Sequence, residues 1–417
     1  VRKLIVLTLT LVASLGLAIS KKVLSTATQK HDIWMAVSGR AGPDDDFNPL
    51  FVIYKKWPRV GIQALGFINY NHPRDASEIR FALGLSELET DELLLALQKC
   101  GLVRWNSDRG YQVTFAVFDD KVWAVFEPIM NKVADTISQK VSADIVPLLR
   151  AQYQQSSFPK AGIPYGIIAT IVTGAFGLDE AGVSDLERND LIRVTKKQPG
   201  ERSYVVLSGA AGSLSRFPLY GIHADIWAQV YFGTFGENQS MNRRQSDVLS
   251  LPDLIWNRRG LEKIPIDNFA VSLSKLVMGF RNDEFSPSDL RRQLPEDSEG
   301  LALQACLRYG LIEKRAEDGF RITFPVFSGN DLDRFAGIAA GIGTLVLEIV
   351  RESYPDFGEA YLKTNPSVHG VPLQEVMDLV YHHIYSLALS DMLSRHPEFK
   401  FSKEYKDLQY SGYARIK

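Results

Sequence analysis

Two cysteines in 417 residues cannot build a disulfide framework. Cys100 and Cys306 both fall in apolar helical pattern, where a free thiol packs as a small hydrophobe. Neither sign of charge dominates: 47 Lys+Arg stand against 49 Asp+Glu. That balance excludes a general attraction to polyanions, so nucleic-acid binding would need a local basic face. Histidine is sparse, and its densest group, His369, His382 and His383, has no cysteine or carboxylate to complete a ligand set. Neither HExxH nor GxSxG occurs. Gly337, Gly341 and Gly343 in GIAAGIG follow no strand, so they read as close helix packing rather than a dinucleotide loop. Ser208–Ser213 (SGAAGS) reads as an ordinary loop rather than a phosphate nest. No catalytic residue, cofactor or metal is expected, because no convergent acid, base or nucleophile can be named.

The N-terminus carries a pattern of its own. Arg2 and Lys3 precede an uncharged run from Leu4 to Ile19, and Lys21 and Lys22 follow. A basic start, an apolar run and small residues after it predict a secretory signal or membrane anchor over 1–27, with a linker over 28–58. Ala18-x-Ser20 and Ser25-x-Ala27 both fit the small-x-small cleavage pattern. Alternating Leu7, Leu9 and Leu11 would also suit a buried strand, but the flanking charges favour targeting. Val1 in place of Met points to an alternative start codon in a prokaryotic frame. The expected location is extracytoplasmic, secreted or membrane-anchored; the alternative is the cytoplasmic face of the membrane.

The strongest internal signal is a repeat. Asp91–Phe118 aligns with Gly300–Phe327 at one constant offset, with nine identities in 28 positions, among them Leu94/Leu303, Gly101/Gly310, Thr114/Thr323 and Phe118/Phe327. Chance alone would give about two. Similarity continues downstream, where Gly162-Ile163-Pro164 recurs as Gly370-Val371-Pro372 and Ser184-Asp185-Leu186 as Ser390-Asp391-Met392. Domain duplication follows, with copies over 59–235 and 268–417 and a polar connector over 236–267.

Each copy has a readable local plan. Ser77 and Ser288 are positioned to cap a short helix carrying Ile79 and Leu83, or Leu290 and Leu294. A second helix, about 90–100, buries Leu93, Leu94 and Leu97 at helical spacing. Gly101 and Gly310 end it. A strand over 102–105, a turn at 106–110 and alternating Tyr111, Val113, Phe115 and Val117 make a hairpin. A long helix over 121–155, echoed by 331–354, comes next. A helix pair (165–176 and 179–189) and a second hairpin (191–195 with 203–207, echoed by 399–401 and 410–416) complete the unit.

Ala82-Leu83-Gly84-Leu85-Ser86, then Leu94, Leu97 and Cys100-Gly101-Leu102-Val103-Arg104, resembles the winged helix-turn-helix superfamily. The resemblance spans about fifty residues per copy and implies an α+β, mainly α fold, duplicated in tandem. It also implies DNA binding, which the residues resist. Glu89, Asp91 and Glu92 face a single cation, Lys99, in the second helix; Glu296, Asp297 and Glu299 face Arg308 in the other copy. Such helices suit their own dipole but repel phosphate.

The reading that follows is a non-catalytic, exported or membrane-tethered protein whose winged-helix-like domains bind another protein. A membrane-tethered DNA-binding regulator is the alternative, and an enzyme with a site between the copies the second. Trp105 replaces Lys314 on the first wing, and Trp and Arg dominate interface energetics. The candidate binding residues are therefore Arg104, Trp105 and Arg109 on one wing and Lys314 and Arg315 on the other.

Overall fold

The computed structural model describes residues 33–37, 43–205, 207–210, 220–227, 229–237, 266–297, 300–315, 319–405 and 408–416. The expected targeting segment, most of the connector, Glu299 and the turn 316–318 lie outside the described residues. The fold is α+β and mainly helical, with small sheets.

Strand β1 (Trp34–Val37) and a short helix α1 (Pro49–Phe51), prolonged by a π turn over Val52–Lys56, come first. Helices α2 (Val60–Asn71), α3 (Ala76–Leu83) and α4 (Glu87–Lys99) follow. Then come the hairpin β2 (Val103–Asn106) and β3 (Gly110–Val113), and strand β4 (Ala116–Phe118). This is the expected helix-turn-helix and hairpin, with two corrections at its caps. Asp75, not Ser77, starts α3: its carboxylate accepts the N–H groups of Ser77 and Glu78. Helix α4 begins earlier than expected because Ser86 and Glu89 form a reciprocal capping box. Its end is as expected. Gly101 takes φ 75°, Leu102 N–H donates to Leu97 O at 2.8 Å, and Gly101 N–H to Gln98 O at 3.0 Å.

Helix α5 (Asp120–Lys140) runs through a π turn at Val141–Ile145 into α6 (Val146–Gln154). Helix α7 (Tyr165–Thr170), a π segment over Ile171–Ala181 and α8 (Gly182–Arg188) then form one continuous helix. The sequence predicts a helix pair here. In its place, the Tyr381 hydroxyl donates to the Leu178 carbonyl in the π segment, which removes any need for a turn. The helix is long and apolar enough to cross a membrane, yet 72% of its apolar window is buried, as in a core helix.

Strands β5 (Thr195–Gln198), β6 (Arg202–Val205), β7 (Leu207–Ala210), β8 (Tyr220–Trp227) and β9 (Val230–Glu237) come next. The second hairpin thus sits a few residues from its expected place, and Ser208–Ala210 is strand rather than loop.

Helices α9 (Ile266–Phe280), α10 (Pro287–Gln293) and α11 (Leu301–Arg308) open the later helix-turn-helix. Its α10 is capped by Ser286, which forms a capping box with Asp289, not by Ser288. Strands β10 (Ile312–Lys314), β11 (Phe320–Ile322) and β12 (Val326–Ser328) lead into the long helix α12 (Gly329–Tyr361). A short α13 (Asn365–Val368), helix α14 (Leu373–Arg395) and strands β13 (Lys403–Tyr405) and β14 (Leu408–Ile416) finish the chain.

Two compact units share these elements. The first comprises Val1–Pro128, Asp190–Arg216 and Pro355–Val380. In its sheet, β7 pairs with β1 antiparallel and with β4 parallel. Ile33, Met35, Val52 and Ile53, all from the stretch expected to be linker, pack with Ile68, Leu97, Val113 and Phe115 in its core. The second comprises Ile129–Asn189, Phe217–Tyr354 and Tyr381–Lys417. There β14 pairs with β9 antiparallel and with β12 parallel, while β8 extends the sheet beside β9. Val230, Phe232, Phe269, Leu273, Cys306, Leu311 and Phe324 form that core.

The units cut across the boundaries 59–235 and 268–417, and specific bonds explain how. In the first, Arg104 Nη2 donates to His369 O at 2.6 Å, so the early wing holds a loop from late in the chain. In the second, Arg321 Nη1 donates to Ala161 O at 2.5 Å, so the late wing holds an early loop. The two loops close alike, with Tyr361 Oη donating to Val371 O at 2.5 Å and Tyr153 Oη to Ile163 O at 2.6 Å.

A prediction follows from this sharing. With a protease site placed at Arg244–Gln245 and cut, the two fragments are expected to co-elute on gel filtration until denaturant is added. Independent elution in native buffer would show that each fragment completes its own core.

Candidate functional site

The first unit presents one face made by α4 and the hairpin β2–β3, called the wing. On α4, Thr90, Leu93, Leu94, Ala96 and Leu97 are buried, which turns Leu88, Asp91, Glu92 and Leu95 outward. Leu88 is 69% and Leu95 65% exposed. Residues seven apart stand two turns apart on one side of a helix, about 10 Å. Two leucines therefore flank two carboxylates on a single solvent stripe. Asp91 and Glu92 form no ion pair among the described residues. The nearby cations are engaged, Lys99 with Asp46 at 3.1 Å and Arg80 with Glu87 at 3.4 Å.

The wing divides its side chains by strand alternation. Arg104 and Gln112 pair across β2 and β3, with Arg104 Nε donating to Gln112 Oε1 at 3.2 Å. That side faces the loop at 368–370, where Gln112 Nε2 and Arg109 Nη1 each donate to Val368 O at 3.4 Å. Trp105 and Tyr111 pair on the opposite side. Tyr111 is partly buried against the core, and desolvation, followed by the nearby Asp91 and Asp75 carboxylates, pushes its phenol upward. Trp105 lies beside it and is 55% exposed. Asp91 thereby ties the wing surface to the helix stripe.

The expected site residues thus separate by role. Arg104, Trp105 and Arg109 are all exposed, but Arg104 and Arg109 are bound to backbone carbonyls within the first unit, and Trp105 is the apolar member of the group. Lys314 and Arg315 lie in the second unit; Lys314 is exposed at the end of β10 opposite Phe320. Arg315 pairs with Glu313 at 3.0 Å and Glu284 at 3.8 Å. Leu88 and Leu95 escaped the sequence reading although the signal is present. Both fall off the stripe formed by Leu93, Leu94 and Leu97, so a core role leaves them unexplained.

At two positions aligned with this face the second unit is polar, Gln304 standing for Leu95 and Lys314 for Trp105, both exposed, whereas the half-buried Leu301 stands for Glu92.

Two buried titratable groups lie elsewhere. His369 is fully buried, its Nε2 is 2.9 Å from Asn69 O, and its Nδ1 has no partner among the described residues. Burial holds its pKa down at about 4. In the second unit, burial pushes Asp179 up to about 6, against the opposing pull of His382 and Tyr385. Cys100 and Cys306 are buried and pushed up to about 12 by desolvation, which leaves them inert. His382 and His383 are half-buried on α14, and no group of three metal-binding side chains occurs among the described residues. Of the three glycines expected to pack closely, Gly343 does, lying against Ala181 and Asp185 where a side chain would collide. Gly337 has open space beside it, and Gly341 only an ordinary contact with Ile145.

Compared with family models, with characterised proteins and with solved structures, the chain gives no match.

Proposed function

We propose that this chain is a non-catalytic, exported or membrane-tethered binding protein, built by tandem duplication of a winged-helix-like unit, and that its partner is another protein. One observation carries the reading. The outward face of the early helix and wing bears Leu88, Leu95 and Trp105, whereas the aligned face bears Gln304 and Lys314. Had the fold required those apolar residues, both faces would carry them. Fully burying each leucine against a partner is worth about 1.5–3 kcal/mol, so leaving them in water calls for an occupant.

The duplication is supported by hydrogen bonds that recur between aligned residues. Leu102 N–H to Leu97 O, at 2.8 Å, matches Leu311 N–H to Cys306 O at 2.9 Å. Thr114 Oγ1 donates to Gly101 O as Thr323 Oγ1 donates to Gly310 O. Strands β1, β4 and β7 pair in the same senses as β9, β12 and β14.

DNA gains no support from this surface. The exposed helix face is acidic, and Arg104 and Arg109, which phosphates would need, are engaged with carbonyls.

A photo-crosslinking amino acid at Leu95, with Gln304 as the control position, tests the reading in cells. A discrete, nuclease-resistant adduct from position 95 but not from 304 is expected. A nuclease-sensitive adduct, or equal yields at both positions, would overturn it. Fractionation with sequencing of the mature N-terminus tests export separately.

A further inference from the structure

Resting on the protein-binding reading above, we infer that the partner segment is a basic amphipathic helix, docked along α4 with its apolar stripe on Leu88 and Leu95 and its cations on Asp91 and Glu92. Such a helix complements this face in both spacing and charge. The exposed leucines repeat at two helical turns, the spacing at which a helix lying alongside offers its own i and i+7 apolar residues. Between them stand two carboxylates without an ion pair among the described residues, at the positions where such a helix carries its flanking i+3 and i+4 side chains. Asp75 and Asp91 lie close enough to Tyr111 to raise its phenol, so negative potential continues onto the wing. Trp105, at 55% exposure beside Tyr111, adds an aromatic edge to the same face. Lys99 and Arg80, on the helices that build this face, already pair with other carboxylates, Lys99 with Asp46 and Arg80 with Glu87. A partner with an acidic flank would meet repulsion along the whole stripe, while a purely apolar one would strand two carboxylates.

Three synthetic helical peptides of equal length, titrated against the full chain, test this. One has a leucine stripe with lysine flanks, the second a leucine stripe with glutamate flanks, and the third the lysine composition scrambled to remove the stripe. The lysine-flanked peptide is expected to bind at least about tenfold tighter than either other peptide, with a preference that falls as salt rises. The double substitution Leu88→Ser with Leu95→Ser is expected to remove that binding. Asp91→Lys with Glu92→Lys is expected to move the preference to the glutamate-flanked peptide. All four positions are exposed, so these variants keep their folded core. Equal affinity for the three peptides, or binding indifferent to both double variants, overturns the inference. If position 95 still crosslinks to a protein in that case, the protein-binding reading stands and only the chemistry assigned to the partner fails.

Discussion

At pH 7.5 the Asp179→Asn protein is expected to be more stable than the wild type by about 2–3 kcal/mol, and to equal it near pH 4. The reason is a count of protons. Tyr385 Oη lies 2.7 Å from Tyr220 O and 3.0 Å from Asp179 Oδ2. A hydroxyl has one proton and Tyr385 has two acceptors for it, Tyr220 O and Asp179 Oδ2, so it cannot fully satisfy a buried carboxylate. The Ile222 N–H also bonds to this carboxyl. His382, Tyr381 and the adjacent Glu180 are the other ionisable groups that bear on it, and only His382 can offer a compensating charge. Burial therefore favours the acid, with a folded pKa of about 6 against an ordinary 3.8. A raised pKa contributes stability that is complete below 3.8 and is lost as pH climbs through 6. Asparagine keeps a donor toward Tyr385 and an acceptor for Ile222 without the ionisation. Denaturant unfolding at the two pH values checks this, and a variant less stable than wild type at pH 7.5 would refute it.

His369 is expected to act in the opposite sense, with stability lost on acidification by up to about 3 kcal/mol between pH 6.5 and 4. Asn69 O can only accept, so Nε2 carries the proton of the neutral ring, at 2.9 Å. Protonation would place a second N–H on Nδ1, which is buried and has no acceptor among the described residues. Desolvation is the main cause of the depressed pKa, and His72, its ring tilted at 4.7 Å, and Arg104 add to it. A depressed pKa contributes stability present above 6.5 and lost as pH falls through 4.

The two groups nearly cancel in the wild type, so each variant should unmask the other. Thermal midpoints of Asp179→Asn are expected to fall with acid, and those of His369→Gln to rise. Parallel pH profiles for the two variants would show that neither group carries the assigned shift.

The Asp179 site also marks where sequence reading fails. Local signals gave the helix-turn-helix and hairpin, because an apolar stripe at helical spacing, a glycine after the helix and an alternating strand act over a few residues. Gly101 and Gly310 ended their helices as expected. The π segment over Ile171–Ala181 left no such signal, since the contact that sustains it comes from Tyr381, some two hundred residues away. β1, placed in an expected linker, became strand only because β7 pairs with it. Arg104 read as a free interface cation until His369 O and Gly370 O occupied it.

On the candidate face the division is similar. Trp105 was legible as the wing residue without a counterpart, and Asp91 and Glu92 as charges unsuited to phosphate. Leu88 and Leu95 were legible in principle, being surplus to the helical core.

By itself, then, the sequence determined the repeated local units, their caps and turns, and the acidic character of the second helix, all set by interactions within about one helical turn or one hairpin. Tertiary structure alone decided which loop completes which wing, which arginines are spent on carbonyls, and which leucines stay in water. Those outcomes depend on pairing between residues hundreds of positions apart, and no periodicity along a single stretch of chain encodes it.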